Sequence, residues 1–550
     1  MSDAHFAFWP RFTSRHMTVP ATNLFYNAEV SARRYPDKPY LVFYDTVITF
    51  ADFVDEAERL AGFLEKECGV GKGDRVLLYM QNSPQFVIGY YAILRANAVV
   101  VPVNPMNLTN ELRHYVKDAG AKVAIASQEI YLQMQPLLGE GLERIVVAAY
   151  SDYLRQPTDL AVPNFVAAPR LEIGDTGATP WVEAMGRGLR PGPLTAGPDD
   201  LCVMPYTSGT TGNPKGCMHT HRTVMHTLVA GEQWFSMKPD TTRLAVLPFF
   251  HVTGMQGSMS GPLYNGATVV LLPRWDREAA AQLIQRYQIN AWTAIPTMVI
   301  DFLMNPKLAE YDLSSIQRMS GGGAAMPEVI AQKLLDMGIT YVEGYGLSET
   351  IAPTHINPPD RAKKQCLGIP IFDVDSRVVD PETCRELPPG EVGEIVTHGP
   401  QVFLGYWNNP AGTASSFIEL DGKRFFRTGD LARTDEDGYF FMVDRLKRMI
   451  NASGFKIWPA EVEAMMYQHP AIQEACIVAA RDPKRGETVK AVVVLKEANR
   501  GKVTEQEIID WAHGQMAAYK APRIVEFVDA LPKSATGKVQ WRALQEKERA

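Results

Sequence analysis

The chain has 550 residues, 46% of them apolar and 21% charged. It is too long for one hydrophobic core, which stops growing near roughly 250–300 residues, and too ordinary in composition for a disordered or fibrous protein. With 55 basic and 62 acidic residues and a formal charge of −7, it has no electrostatic footprint for nucleic acid; its six cysteines are scattered, with no C-x-x-C pair or zinc pattern. A reduced, cytoplasmic setting is the expectation.

Residues 1–20 mix aromatic, charged and proline residues and lack the apolar run of a signal peptide. From residue 74 a βαβ rhythm begins: an apolar run over 75–80, then Phe86, Val87, Tyr90, Tyr91 and Leu94 at helical spacing, then a β-branched run over 99–103. Arg95 and Asn97 interrupt this most hydrophobic stretch, so it reads as a helix running into a strand and not as a membrane span. A helix over 111–118 and a strand over 122–126 continue the rhythm. Strands are predicted near 201–206, 243–247, 268–272 and 291–294, with a helix over 277–287; 186–197 reads as a linker or surface loop. Such alternation predicts mainly parallel sheets covered by helices.

After about residue 370, short strand-like runs at 375–379, 394–397, 424–428 and 439–443 are punctuated by Pro388, Pro389, Gly390, Gly393 and Gly438. Beyond them come a helix over 459–467, strands over 474–480 and 488–495, and a capping box at Thr504 and Glu507 that opens another helix. The expectation is an α/β protein. Its large N-terminal domain, 1–444, has mainly parallel sheets with helices and a β-rich subdomain at about 370–444, and a small, mobile α+β C-terminal domain covers 445–550.

The most informative segment is Tyr206-Thr207-Ser208-Gly209-Thr210-Thr211-Gly212-Asn213-Pro214-Lys215-Gly216, directly after an apolar strand. Its glycines free the backbone to wrap an anion, its hydroxyls and amides donate to phosphate oxygens, and Lys215 adds charge. Pro214 before the lysine and Gly216 after it exclude a Walker loop. Taken alone such a run is more often a flexible loop; the later motifs decide.

The segment is similar to the signature loop of the adenylate-forming (AMP-binding) superfamily, and further motifs follow in that superfamily's order over roughly residues 200–545. Gly344-Tyr345-Gly346-Leu347-Ser348-Glu349-Thr350 resembles the second signature. The resemblance implies Tyr345 stacked on adenine, Thr350 bonded to the α-phosphate and Glu349 as a hard oxygen ligand for Mg²⁺. Ser320-Gly321-Gly322-Gly323-Ala324 resembles the loop beside adenine and acyl group. Arg427-Thr428-Gly429-Asp430 resembles the ribose-binding motif, with Asp430 accepting from the hydroxyls and Arg445 reaching the ribose or phosphates.

In Leu446-Lys447-Arg448, Lys447 takes the family's hinge position. The stretch from Asn451 to Glu463 resembles the acyl-CoA synthetase version, whose turn at Gly454 lines the pantetheine channel; Asn451 stands where many relatives have lysine. Pro532-Lys533-Ser534-Ala535-Thr536-Gly537-Lys538 resembles the C-terminal catalytic motif, which places Lys538 between the attacking carboxylate and the α-phosphate. The resemblance therefore implies an ATP- and Mg²⁺-dependent ligase with coenzyme A as cosubstrate, and a homodimer as an assembly common in the family.

For the acid, Phe249-Phe250-His251-Val252-Thr253-Gly254-Met255 matches the border of the acyl pocket, with His251 as gate beside the carboxylate. No aspartate stands beside Phe250 to bind an ammonium, which favours an uncharged tail. Met255, Met259 and Met298 are candidate lining of an apolar channel, with core filler as the alternative. A medium- or long-chain fatty acid leads; an aromatic acid comes second, and a peptide-synthetase type of adenylation third.

Overall fold

A computed structural model of the protein describes residues 3–11, 13–207, 214–452, 455–482, 486–534 and 539–549. Packing divides the chain into two units, 1–376 with 397–426, and 377–396 with 427–550. The β-rich stretch expected over about 370–444 is thus shared between them, because the strand Lys423–Thr434 pairs with Phe417–Leu420 through its first half and with Phe440–Arg445 through its second.

The first unit holds two large sheets. One runs, edge to edge, His219–Thr220, Leu201–Val203, Val99–Val103, Arg75–Tyr79, Val123–Ser127, Arg144–Ala148 and Ala178–Pro180. All neighbours are parallel except the first pair. Its alternating side chains serve two cores: Val76, Leu78, Val100 and Ile125 enter one, Leu77, Tyr79, Val101 and Ala124 the other. The helix Pro84–Arg95 is capped by Ser83, whose hydroxyl accepts from the Phe86 amide at 3.1 Å. Every residue from Pro84 to Leu94 is buried, which is why this segment has no polar face to display.

The other sheet runs Ile369–Pro370, His355–Ile356, Thr340–Tyr345, Arg318–Gly322, Ala291–Thr293, Thr242–Ala245, Thr268–Leu271, Pro39–Phe43 and Thr46–Thr49. The run from Thr340–Tyr345 to Pro39–Phe43 is parallel, and antiparallel strands close both edges. In a parallel sheet the carboxyl ends of the strands share one rim, where ligands bind. The chain leaves that rim at Gly322, at Tyr345 and, after Ala245, toward His251.

In the second unit, Ile472–Asp482 and Gly486–Leu495 pair antiparallel and Ile524–Phe527 adds in parallel. Pro459–Met466 and Glu505–Gln515 share a core with one face of this sheet, and Trp541 and Leu544 of the last helix pack against Cys476, Val478, Val492 and Val494 on the other. The expected capping box forms: the Thr504 hydroxyl accepts from the Glu507 amide at 3.3 Å, and the Glu507 carboxylate accepts from the Thr504 amide at 2.7 Å. Among the described residues no helix is long and apolar enough to cross a membrane.

Candidate active site

The predicted phosphate loop grows from a two-stranded hairpin in which Thr207 faces Lys215 and Tyr206 faces Gly216. Ser208, Gly209, Thr210, Thr211 and Gly212 lie outside the described residues. The helix Thr109–Ala119 grips both arms of the hairpin: the Tyr206 hydroxyl donates to Asp118 at 2.7 Å, and His114 Nε2 donates to the Pro214 carbonyl at 2.7 Å. Lys215 Nζ stands 5.1 Å above the ring of Tyr406.

Tyr406 belongs to a strip that lies along residues 216–218. Trp407 N donates to the Gly216 carbonyl at 2.8 Å, Leu404 N to the Met218 carbonyl at 3.0 Å, and Met218 N to the Gly405 carbonyl at 3.0 Å. The same strip holds Glu349 at two points: Phe403 N donates to its carbonyl and the Tyr406 hydroxyl to its carboxylate, both at 2.8 Å. Burial, and then the Glu349 carboxylate, push the Tyr406 phenol well above its ordinary pKa, so it is a donor at any working pH.

Glu349 is 8% exposed and sits in a tight turn after the strand Thr340–Tyr345. The turn is fixed from several sides. His219 Nε2 donates to the Ser348 carbonyl at 2.7 Å, and burial pulls the His219 pKa down to about 4, so the ring is neutral. The Thr350 hydroxyl accepts from Leu347 N at 3.0 Å and donates to the Leu347 carbonyl at 3.2 Å. Gly346 is required by close approach, since a Cβ there would lie 2.8 Å from the Ala352 Cα and 2.9 Å from that of Pro353. Ile351 and Ala352 follow with φ of 47° and 45°. Two successive left-handed residues, one β-branched, are strained backbone of a kind that collects at functional sites.

Tyr345, half-buried, pairs with His355 across the sheet, their rings 5.6 Å apart. Gly344 pairs with Gly322 on the adjacent strand, and Gly323 and Ala324 lie exposed just beyond its end. The structure thus brings the glycine loop and the second signature together on the sheet's rim. The His251 strip leaves the same rim: Asn82 Nδ2 donates to the Leu247 carbonyl at 2.9 Å, and Asn82 Oδ1 accepts from Phe249 N at 2.8 Å. Gly254 is obligatory here, because a Cβ would come within 2.5 Å of the Pro248 carbonyl oxygen.

After His251 and a short helical turn, Met255–Ser260 forms a π-helix. π-Helices are rare and mark functional positions. This one is held by a buried ion pair: Arg243 donates to Glu232 at 2.6 Å and, through Nη1, to the Gly257 carbonyl at 2.6 Å. Met255 and Met259 are fully buried in the core, the Met255 sulfur accepting from the Tyr90 hydroxyl at 3.6 Å, while Met298 is half-buried on the helix Pro296–Leu303.

In the second unit Asp430 faces Arg445 on the neighbouring strand and accepts from its Nε at 3.0 Å. Lys447 lies in the short helical turn Leu446–Arg448. Arg448 pairs with Glu463, and Asp444 accepts from the Ala460 amide at 2.7 Å. Gly454 and Lys538 lie outside the described residues, but the chain on either side of 535–538 is seen: Lys533 bridges Val539, and Gln540 N donates to the Pro532 carbonyl at 2.7 Å.

For Mg²⁺, no group of three or more His, Cys, Asp or Glu gathers among the described residues. One buried carboxylate held by a phenol does suit Mg²⁺, which takes one or two protein oxygens and otherwise uses waters and substrate phosphates. Sequence reasoning missed Tyr406, His114, Asp118 and Asn82. Each acts on a partner far along the chain, and no local pattern announces such contacts.

The model for AMP-binding enzymes matches residues 28–407, and the model for their C-terminal domain matches 461–538. The chain belongs to the AMP-binding enzyme family. Within it, the chain stands in the acyl-CoA synthetase branch, with ATP, Mg²⁺ and CoA as cosubstrate. It is 36% identical to a long-chain-fatty-acid–CoA ligase of Bacillus subtilis (strain 168), over 94% of this chain and 93% of the relative. A feruloyl-CoA synthase of Amycolatopsis sp is 34% identical over 90% and 92%. The crystal structure of the anthranilate CoA ligase AuaEII with anthranoyl-AMP matches with a TM-score of 0.83 at 27% identity, over 96% of this chain and 98% of that one.

Proposed function

We propose that this acyl-CoA synthetase joins a medium- or long-chain fatty acid to CoA through an acyl-adenylate, in the cytoplasm. The observation that carries the reading is the rim of the parallel sheet, where the Glu349 turn and the glycine loop stand beside an acid-binding strip, 249–255, that contains no charged residue apart from the titratable His251. The near full-length likeness to the Bacillus ligase supports an aliphatic acid. Six free cysteines support a reducing compartment. An aryl acid is the second reading, favoured by the likeness to the feruloyl-CoA synthase.

Attack of a carboxylate on the α-phosphorus brings two anions together, so donors must hold them in line and oppose the charge on the phosphoryl oxygens. In this reading the hairpin from Thr207 to Lys215 grips the phosphates, and Thr350 exchanges its long bond to Leu347 for the α-phosphate. Lys538 lies between the reacting anions. Tyr345, Gly322, Gly323, Ala324, Gly344 and Gly346 flank adenine and acyl chain, and Asp430 with Arg445 takes the ribose. Mg²⁺, when bound through Glu349, neutralises phosphoryl charge. Pyrophosphate leaves; the CoA thiol, entering past Gly454, then attacks the acyl carbonyl, and AMP departs. Lys447 is the pivot between the two steps, His251 gates the carboxylate, and the π-helix bearing Met255 and Met259, with Met298 on the helix Pro296–Leu303, bounds the acyl chain.

CoA-dependent AMP release measured over acids from acetate to palmitate, with ferulate, 4-coumarate and benzoate, tests the substrate. Turnover efficiency should rise with aliphatic chain length; a preference for any aromatic acid over all fatty acids reverses the assignment.

A further inference from the structure

Glu349 is gripped at both ends by one strip of chain. Its carbonyl takes the Phe403 amide and its carboxylate Oε1 takes the Tyr406 hydroxyl, each at 2.8 Å. The strip has little freedom, because Leu404, Gly405 and Trp407 are bonded to the backbone of 216–218, and Phe403 is packed among Cys217, Phe417 and Phe426. A face of the same phenol ring carries Lys215 at 5.1 Å from the ring centre. One side chain therefore touches both the carboxylate of the second signature and the lysine of the phosphate loop.

We propose that Tyr406 is a positioning residue for the metal–nucleotide complex: its hydroxyl fixes the rotamer of the Glu349 carboxylate and its ring sets the height of the Lys215 ammonium. The inference rests on the reading of Glu349 as the Mg²⁺ holder. A carboxylate free to rotate in a tight turn presents its oxygens in many directions, whereas one bonded to a phenol through Oε1 presents a single direction to a cation. Groups that orient a metal ligand in this way commonly govern metal affinity by roughly ten- to a hundredfold. Nothing local to residues 403–409 signals the role, since Tyr406 and Glu349 are separated by 57 positions.

The test is calorimetric binding of α,β-methylene-ATP, with and without Mg²⁺, to the full-length protein and to Tyr406→Phe, Tyr406→Gln and Glu349→Gln. Tyr406→Phe keeps the ring under Lys215 and loses the hydroxyl. It should bind the metal-free nucleotide as the parent does and lose roughly ten- to a hundredfold of the tightening that Mg²⁺ gives. Tyr406→Gln loses the ring, and its shorter side chain cannot reach Glu349, so it should lose the Mg²⁺ tightening and in addition bind the metal-free nucleotide more weakly; it carries the test if Tyr406→Phe does not fold. Undiminished Mg²⁺ tightening in Tyr406→Phe, or equal losses with and without metal in both variants, overturns the proposal. If Glu349→Gln itself leaves the Mg²⁺ effect intact, the reading of Glu349 is what fails.

Discussion

Arg445 stands opposite Asp430 across two antiparallel strands and donates to its carboxylate from Nε at 3.0 Å, with the Asp430 side chain 3% exposed and that of Arg445 47%. The carboxylate is thereby held in place before any ligand arrives. Thr428 restrains the same turn, its hydroxyl accepting from Asp430 N at 3.1 Å and donating to the Ile395 carbonyl at 2.7 Å. If Asp430 takes the ribose hydroxyls, Asp430→Ala removes a charged acceptor, which is worth about 1.5–3 kcal/mol. The KM for ATP should rise by roughly ten- to a hundredfold. Melting temperature should change little, because Arg445, left without its partner, already reaches water and is not stranded as a buried charge. Initial rates across an ATP series, with a thermal melt of each protein, check both statements.

Glu232 and Arg243 are the buried pair that supports the π-helix, and burial, working against the attraction of Arg243, leaves the Glu232 carboxyl pKa raised. Removing one partner of such a pair leaves an uncompensated charge. Arg243→Met should destabilise by about 3–5 kcal/mol, and the double variant with Glu232→Gln by clearly less. The pH dependence has a definite sign. A carboxyl whose folded pKa lies above its unfolded value binds more protons when folded, so stability falls as pH rises through the window between the two values. The Arg243→Met penalty should therefore shrink as pH is lowered into that window. Urea unfolding at several pH values measures it, and a penalty independent of pH would contradict the argument.

Four histidines add a second pH effect of opposite slope. Burial lowers the pKa of His219, His221 and His226 to about 4 and that of His355 to about 3. The unfolded chain takes up these protons near pH 6.5, while the folded chain refuses them until the lower values are reached. Stability is unaffected above pH 6.5 and is lost as pH falls from there toward 4, by up to about 1.4 kcal/mol per pH unit for each histidine. The melting temperature should drop steeply between pH 6.5 and 5. Replacing the buried His226 with Leu should flatten that slope.

Gly346 offers a purely steric test. A methyl group there meets the backbone of Ala352 and Pro353 and not a side chain that can swing away. Gly346→Ala should therefore move the Glu349 turn while leaving the sheet intact. Since misplacing a positioning group by about 1 Å costs on the order of a hundredfold, pyrophosphate exchange should fall by that order with the circular-dichroism spectrum unchanged.

The helical and strand periodicities were legible where one face met one environment. The strand Val99–Val103 and the helix Arg277–Tyr287 stand where spacing places them, and the helix Thr109–Ala119 differs only at its ends. Strands 39–43 and 46–49 were not read, because five- and four-residue runs carry too little period to distinguish them from loop. The π-helix escaped for a related reason: its hydrogen bonds reach one residue further than those of an α-helix, and the contact of Arg243 with the Gly257 carbonyl inside it is one that no local pattern announces. Among the candidate site residues, Glu349 in the first unit and Asp430 in the second are singled out by the motifs around them. The bond between Tyr406 and Glu349 is not, since it depends on a strip of chain folding back along residues 216–218.

The last prediction concerns the order of the two half-reactions. If Lys538 opposes charge at the α-phosphate only during adenylation, Lys538→Ala should slow pyrophosphate exchange by roughly a hundred- to a thousandfold, the usual cost of one lost transition-state donor. Thioester formation from supplied acyl-adenylate and CoA should stay near the parent rate. Lys447→Pro should do the reverse, because a fixed φ at the pivot hinders rotation but touches no reacting group. Asp444 and Arg448, on either side of Lys447, make the contrast sharper: both are tied to the helix Pro459–Met466, Asp444 through the Ala460 amide and Arg448 through Glu463. A pivot between them has to release one of these ties when it turns. Asp444→Asn should therefore alter the rate of the CoA step more than that of adenylation, and equal loss of both half-reactions in Lys447→Pro would show that the turn at Leu446–Arg448 is not the pivot.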